Sequence, residues 1–82
     1  MLTILTKAPP TLEEVQELVG GWVEMITLDN GDQMLFDEDG KLKGLPINEV
    51  ATRLARPAIF DQDYIVGHAV VLRDDARWGS ED

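Results

Sequence analysis

The sequence contains no cysteine and only one histidine, His68. Without thiols the chain cannot form a disulfide or a thiolate metal site. A single histidine with no second nitrogen or sulfur ligand nearby is more typical of a structural residue than of a metal centre. We therefore expect no metal and no cofactor.

Long apolar runs are missing as well. No stretch approaches the roughly 20 apolar residues that span a bilayer. No basic segment precedes an apolar one near Met1, as it would in a signal peptide. These absences predict a soluble protein of the cell interior that does not associate with membranes.

Recognisable catalytic motifs are also missing. Gly20-Gly21 precedes a strand rather than a helix, so it does not form a phosphate-binding loop. Ser80 lies far from His68 in the sequence, and there is no HExxH motif. The acidic stretch 37–40 lacks the alternating ligand spacing of a calcium loop. The sequence therefore predicts a protein that is not an enzyme.

Basic residues are scarce, because 7 Lys and Arg stand against 16 Asp and Glu for a net charge of −9. Such a surface repels nucleic-acid phosphates and anionic membranes, so direct nucleic-acid binding is not expected. It attracts a protein with a basic surface and accelerates the encounter. The alternative is that the acidic charge only maintains solubility.

The 82 residues fit one domain. We assign residues 1–73 to a single α+β domain and residues 74–82 to a polar C-terminal tail that frays. Trp78 is the exception within this tail. It either folds back onto the domain or forms a hydrophobic contact with a partner.

The first third of the chain predicts a strand and a helix. Leu2–Thr6 is short and β-prone, and the prolines that follow stop it. Thr11 and Glu14 form a capping-box pattern at the start of a helix that ends at Gly20-Gly21.

Residues 22–36 predict a hairpin around Asp29-Asn30-Gly31, read as a type I turn closed by a glycine bulge. A two-residue Asn30-Gly31 loop is the alternative, but it places Asp29 opposite Asp32, a like-charge pair. The bulged register collects large apolar side chains on one face. These are Trp22, Ile26, Leu28, Met34 and Phe36.

Glu24 falls on this apolar face, where a carboxylate must find a partner or take up a proton. Three side chains are candidate partners: Lys41, Lys43 and His68. Glu24 is then either a polar anchor at the floor of a binding cleft or part of a structural ion pair that holds a turn.

The second half predicts a turn, a helix and a strand. Gly40 is expected at a positive φ, with a short strand over 41–43. Asn48 caps a second helix that ends before Pro57. The loop that follows tucks in Ile59 and Phe60. Residues 64–73 are apolar on both faces, which is typical of an interior strand. Gly67 within them marks a bulge or a close backbone approach.

Together these elements predict an α+β fold in β-α-β-β-α-β order. We expect a small antiparallel sheet with both helices packed on one face. An exposed strand edge leaves a homodimer open.

Four motifs carry a resemblance to a known family. They are Val19-Gly20-Gly21-Trp22-Val23-Glu24, Glu38-Asp39-Gly40-Lys41-Leu42, Gly44-Leu45-Pro46-Ile47-Asn48-Glu49-Val50-Ala51 and Ile65-Val66-Gly67. In this order the chain resembles the domain of unknown function 3846 family, small proteins found mainly in bacteriophages and bacterial mobile elements. The family usually reads Asn where this chain has Asp37, and Tyr is common at Trp22. The resemblance implies a phage or prophage source and a place in the host cytoplasm, and it transfers no activity. By its motifs the positions of interest are Glu24, Glu38, Lys41, Asn48 and Gly67.

Three functions follow as hypotheses. The first is a non-enzymatic phage accessory protein that binds and modulates a host protein with a basic surface, such as a nucleic-acid-binding or defence protein. The second is a small-molecule or nucleotide-binding module, and the third is a small enzyme centred on Glu24 and His68. The candidate ligand- or partner-binding residues are Glu24, Glu38, Lys41, Asn48, His68 and Trp78.

Overall fold

The structure, a computed structural model, describes residues 1–79. The elements are β1 (Leu2–Leu5), α1 (Leu12–Val19), β2 (Val23–Thr27), β3 (Gln33–Asp37), α2 (Glu49–Ala55) and β4 (Ala69–Leu72). A short 3₁₀ helix, Asp74–Ala76, follows β4. The predicted element order and the α+β class are confirmed.

The strands form one sheet in the order β1-β4-β3-β2, so β1 and β2 are its two edges. β4 is interior, as predicted, and all four of its residues are buried. It runs parallel to β1 and antiparallel to β3, so the sheet is mixed and the prediction of an antiparallel sheet was wrong. The long connection between β1 and β4 leaves their relative direction free, unlike a hairpin.

The two helices cover opposite faces of the sheet, which corrects the prediction that both lie on one face. On the α1 face the buried core is Val15, Val19, Leu35, Val70, Leu72 and Ala76. On the α2 face it is Leu28, Met34, Ala51, Ala55, Ile65, Ala69 and Val71. Since an interior strand with apolar residues on both sides needs cover on both sides, β4 requires this arrangement.

The hairpin has the predicted bulged register. The Gly31 amide donates to the Leu28 carbonyl at 2.9 Å, and the Leu28 amide donates to Asp32 at 2.8 Å. Gly31 adopts the left-handed conformation with φ +92° that this bulge requires. Ile26 consequently lies opposite Met34, and both belong to the α2 face.

Both helices begin as the sequence predicts. Thr11 and Glu14 form a complete capping box on α1, which ends at Gly20 with φ +95°. The Asn48 side chain caps α2 by accepting from the Ala51 amide. A helix leaves its first four amides without intrahelical partners, and each of these side chains accepts from one of them.

Three local predictions between β3 and β4 were wrong. Residues 41–43 form a turn rather than a strand. Gly40 is not at a positive φ. Its lack of a side chain instead admits Val66, whose Cγ2 would lie 2.7 Å from an added Cβ. The last strand covers only Ala69–Leu72, because Gly67 turns the chain with φ +76° just before it.

The segment after β4 packs rather than frays over its described part. Ala76 is fully buried, and Trp78 is partly buried against the α1-face core. The indole nitrogen of Trp78 donates to the Pro10 carbonyl at 2.8 Å. Trp78 therefore folds back onto the domain, one of the two predicted alternatives. Residues 80–82 of the predicted tail, with Ser80, lie outside the described residues.

Candidate functional site

A concavity of about 260 Å³ opens on the α2 face, between the β2–β3 hairpin and the loop that precedes β4. Among its lining residues are three that the sequence singled out: Glu24, Glu38 and Lys41. The hairpin supplies Glu24, and the turn after β3 supplies the other two. The bulged register places Glu24 opposite Phe36, so this carboxylate shares a face with the floor of the concavity.

The floor of the concavity is apolar. Ile26, Phe36 and Ile59 line it and pack, partly buried, against the core beneath α2. Ile59 is tucked in as predicted. Phe60 is not, because 82% of it is exposed. The floor thus continues the hydrophobic core to the surface.

Glu24 itself is exposed, so the prediction of a carboxylate enclosed among large apolar side chains was wrong. Its face was predicted correctly, but β2 is an edge strand and the next residue on that face, Trp22, is 69% exposed. None of the three candidate partners forms an ion pair with Glu24 among residues 1–79. Glu24 therefore stands at the rim of the concavity with its charge in water.

Lys41 lies across the mouth of the concavity and joins two segments. Its ammonium pairs with the Asp63 carboxylate and lies 4.4 Å from the centroid of the Tyr64 ring. The hydrogen bond that Lys41 donates to Asp63 raises the pKa of Lys41, and the negative charge of Glu24 adds to this in smaller part. The same bond, together with the hydrogen bond that Asp63 accepts from the Tyr64 amide, lowers the pKa of Asp63.

The turn that carries Glu38 and Lys41 is anchored by a second ion pair. The buried carboxylate of Asp37 accepts from Lys43 at 2.7 Å and from the Asp39 amide at 2.8 Å. Burial acts to raise the pKa of Asp37, but these bonds outweigh it and hold the pKa below 3.8. The Glu38 amide donates to the Trp22 carbonyl at 2.9 Å, which ties the turn to the start of β2.

The charge of the concavity is strongly one-sided. Three carboxylates line it, Glu24, Glu38 and Asp63, in addition to the buried Asp37, against one cation, Lys41. Nevertheless, no group of three His, Asp or Glu side chains within residues 1–79 could hold a metal ion. Chemically, the arrangement can accept hydrogen bonds from a cation above an apolar surface.

A known protein family matches almost the whole chain. Residues 3–82 match the family described as domain of unknown function (DUF3846). The chain belongs to this family. The resemblance drawn from the four sequence motifs is therefore confirmed, and the family's description assigns no activity. No curated protein and no solved structure matches the chain.

In this DUF3846 protein Asn48 is buried and has its side-chain polar atoms occupied. Its Nδ2 donates to the carbonyls of Met1 and Gly67, both at 2.8 Å, while its Oδ1 caps α2. With 4% of the residue exposed, Asn48 cannot reach a partner. It stabilises the junction of β1, α2 and the turn before β4.

His68 directly precedes the interior strand β4 and bonds to β1, whereas Glu24 lies on β2 at the other edge of the sheet. Its Nε2 is 2.7 Å from the Thr3 hydroxyl on β1. Three strand spacings, about 14 Å, separate β1 from β2. Burial, followed by the positive amino terminus, lowers the pKa of His68. The structure therefore does not bring Glu24 and His68 together.

Trp78 also lies away from the concavity, on the α1 face. Its backbone exchanges hydrogen bonds of 2.7 and 2.8 Å with the Gln33 side chain.

Sequence reasoning missed Asp63 and Tyr64, which complete the mouth of the concavity. No motif marks them, since they were read as loop and strand residues, and only the pairing with Lys41 reveals them.

Neither helix within residues 1–79 has the length and apolar character that crossing a membrane requires.

Proposed function

We propose that this protein is a non-enzymatic accessory protein of a bacteriophage or prophage that binds and modulates a host protein in the host cytoplasm. The partner presents a basic surface, and the concavity receives one of its basic side chains. The observation that carries the proposal is an apolar floor rimmed by carboxylates, with Lys41, the lysine that lines the concavity, already paired with Asp63.

The chemistry of the concavity fits a long cationic side chain. Lysine and arginine bury their aliphatic stems along apolar surface while the charged head stays near water. Here Ile26 and Phe36 offer the apolar surface, and Glu24 and Glu38 stand at the rim. Hydrogen bonds from a guanidinium or ammonium to carboxylates are stronger than neutral ones and fix the geometry of the contact.

Exposed apolar side chains close to the carboxylates also support a protein partner. Trp22 is 69% exposed and Leu42 is 89% exposed. Leu42 lines the concavity, and the Trp22 carbonyl accepts from the Glu38 amide. Large apolar side chains left in water beside a polar rim are typical of protein interaction sites, where tryptophan is enriched among energetic hot spots.

The two other hypotheses have less support. A nucleotide needs cations for its phosphates, whereas Lys41 is engaged by Asp63 and surrounded by carboxylates. An enzyme centred on Glu24 and His68 needs both groups at one site, but Glu24 lies on the edge strand β2, whereas the His68 ring bonds to Thr3 on β1, the other edge.

Affinity capture from a bacterial lysate at low salt, with matched variants, tests the proposal. The test variant is Glu24→Gln with Glu38→Gln. The control is Glu13→Gln with Glu17→Gln, which removes the same charge from exposed positions on α1. We expect a basic protein that the wild type and the control retain and that the test variant loses.

Two results would overturn the proposal. One is that the wild type retains no basic protein at low salt. The other is that the test and control variants lose the same proteins to the same extent, because binding would then depend on the total charge alone.

A further inference from the structure

We propose that the partner contributes an extended segment that pairs with the free edge of β2 as a fifth strand, with a basic side chain over the concavity. This inference rests on the proposed function and specifies how the partner is held. Addition of a strand to an exposed sheet edge is an established mode of peptide recognition, in which main-chain hydrogen bonds give affinity and alternate side chains give specificity.

The hydrogen-bond pattern of the hairpin shows which groups of β2 are available. Trp22 bonds with Glu38 and Leu28 bonds with Asp32, so the even-numbered residues of β2 pair inward with β3. The amide and carbonyl groups of Val23, Met25 and Thr27 therefore point outward. Because β2 ends the strand order, no strand among residues 1–79 covers these groups.

The edge also lacks the devices with which proteins protect exposed strands. Its sequence, Val-Glu-Met-Ile-Thr, contains no proline and no lysine, and its register with β3 has no bulge from Val23 to Thr27. Met25 is 44% exposed. Its only charge is Glu24, which stands on the face of the concavity.

The other edge of the sheet is a poorer site. The amide donors of Ala69 and Arg73 bond to the carbonyls of Met1 and Leu5, so only Leu2 and Ile4 of β1 point outward. β1 carries no charge, and Lys7 follows it. A basic segment therefore gains more from β2, beside Glu24 and Glu38, than from β1.

A second copy of this chain is the main competing occupant of the edge. Each copy carries a net charge of −9. Self-pairing would bring two acidic surfaces together, which electrostatic repulsion opposes. A basic segment is attracted instead, because a basic side chain next to Glu24 on the same face forms an opposite-charge pair across the two strands.

The test is a titration of the protein with a short synthetic peptide of alternating arginine and valine at low salt. Binding is monitored by the amide chemical shifts of the protein. The test variant is Met25→Pro, which removes one outward amide hydrogen. The matched control is Ile4→Pro on β1, where the residue is equally exposed and its amide also points outward. Both variants are expected to fold, because proline is tolerated at sheet edges whose amide faces solvent.

We expect shift changes along Val23–Thr27 when the peptide binds the wild type. Affinity should be about tenfold weaker for Met25→Pro, because one backbone hydrogen bond is lost, and should change little for Ile4→Pro. Equal binding by Met25→Pro and the wild type would overturn strand addition. Shift changes confined to β1 would do so as well. Either result leaves the proposed function standing if capture still depends on Glu24 and Glu38.

Two modified peptides keep the inference testable if a proline variant does not fold. One is N-methylated at every valine and the other at every arginine. A pairing segment uses the amides of one alternate set only, so one peptide should bind the wild type and the other should not. Equal binding of the two peptides contradicts strand addition. Dimerisation of the protein that the peptide fails to displace assigns the edge to a second copy instead.

Discussion

Lys41 and Asp63 form an ion pair that joins the turn after β3 to the loop before β4 across the mouth of the concavity. Because 50% of the Lys41 side chain and 41% of the Asp63 side chain are exposed, the pair contributes little to stability. Its interest is chemical. The ammonium of Lys41 also lies over the Tyr64 ring, so the protein already holds a cation at the place where we expect a partner's cation.

Replacing Lys41 with methionine should strengthen binding of the arginine–valine peptide, because it removes the one cation that lines the concavity among residues 1–79 and releases Asp63 and Tyr64. The free energy of unfolding should fall by at most about 1 kcal/mol, as for exposed ion pairs. Calorimetric titration and urea denaturation measure the two effects. Lys7→Met, with the same change in charge on the β1–α1 connection, is the control. Equal strengthening by both variants would mean that Lys41 has no local role.

The Asp37–Lys43 pair should make stability depend on acidity. The pKa of Asp37 is below 3.8 in the fold, so its contribution is present above 3.8 and is lost as the pH falls through the folded value. Lys43→Met should cost about 1–3 kcal/mol at neutral pH, since it leaves a buried carboxylate without its charged partner. Urea denaturation across this pH range should show the difference from the wild type shrinking on acidification. Lys43→Arg, which keeps the charge, should behave like the wild type; a difference that does not change with pH would contradict the assignment.

Asn48 should be among the most sensitive polar positions for stability. Asn48→Ala removes a helix cap, worth about 1 kcal/mol, and leaves the buried Gly67 carbonyl without this donor, so we expect a loss of about 2–4 kcal/mol. Asn48→Asp keeps the cap but places a carboxylate against the carbonyls of Met1 and Gly67. It should therefore not restore stability. Thermal and urea unfolding provide the measurement, and near-wild-type stability of Asn48→Asp would show that the two donated bonds are unimportant.

His68 should weaken the fold as it becomes protonated. Its pKa is lowered below 6.5, so the unfolded chain binds the proton more tightly. Stability is therefore lost as the pH falls from 6.5 toward the folded value, and the full loss is present below it. His68→Gln should remove this part of the pH dependence. A wild type and a variant with parallel stability profiles across this range would contradict the burial of His68.

The sequence predicted most of the local structure because caps, glycines and turn residues act over short distances. The Thr11–Glu14 capping box, the Gly31 bulge and the Asn48 cap all lie where the local sequence predicts them. Strand order and direction depend on distant contacts that no local pattern specifies. One signal was nevertheless present. The two-sided apolar pattern of Ala69–Leu72 already required cover on both faces, which is what α1 and α2 provide.

The candidate site could be predicted only in part for the same reason. The hairpin register placed Glu24 on the correct face, but its exposure follows from β2 being an edge strand. Lys41 was a candidate partner of Glu24, but the structure pairs it with Asp63, 22 residues further along the chain. Asn48 was singled out as a site residue, but its burial gives it a structural role.

The central claim is that the carboxylates around the concavity, rather than the acidic surface as a whole, bind a basic partner. Calorimetric titration of the arginine–valine peptide at low salt tests it most directly, with the Glu24→Gln/Glu38→Gln variant beside the Glu13→Gln/Glu17→Gln variant. We expect roughly tenfold or greater weakening for the first variant, because it loses charge-assisted hydrogen bonds, and a much smaller change for the second. Equal weakening of the two variants, or no measurable binding to the wild type, would contradict the claim.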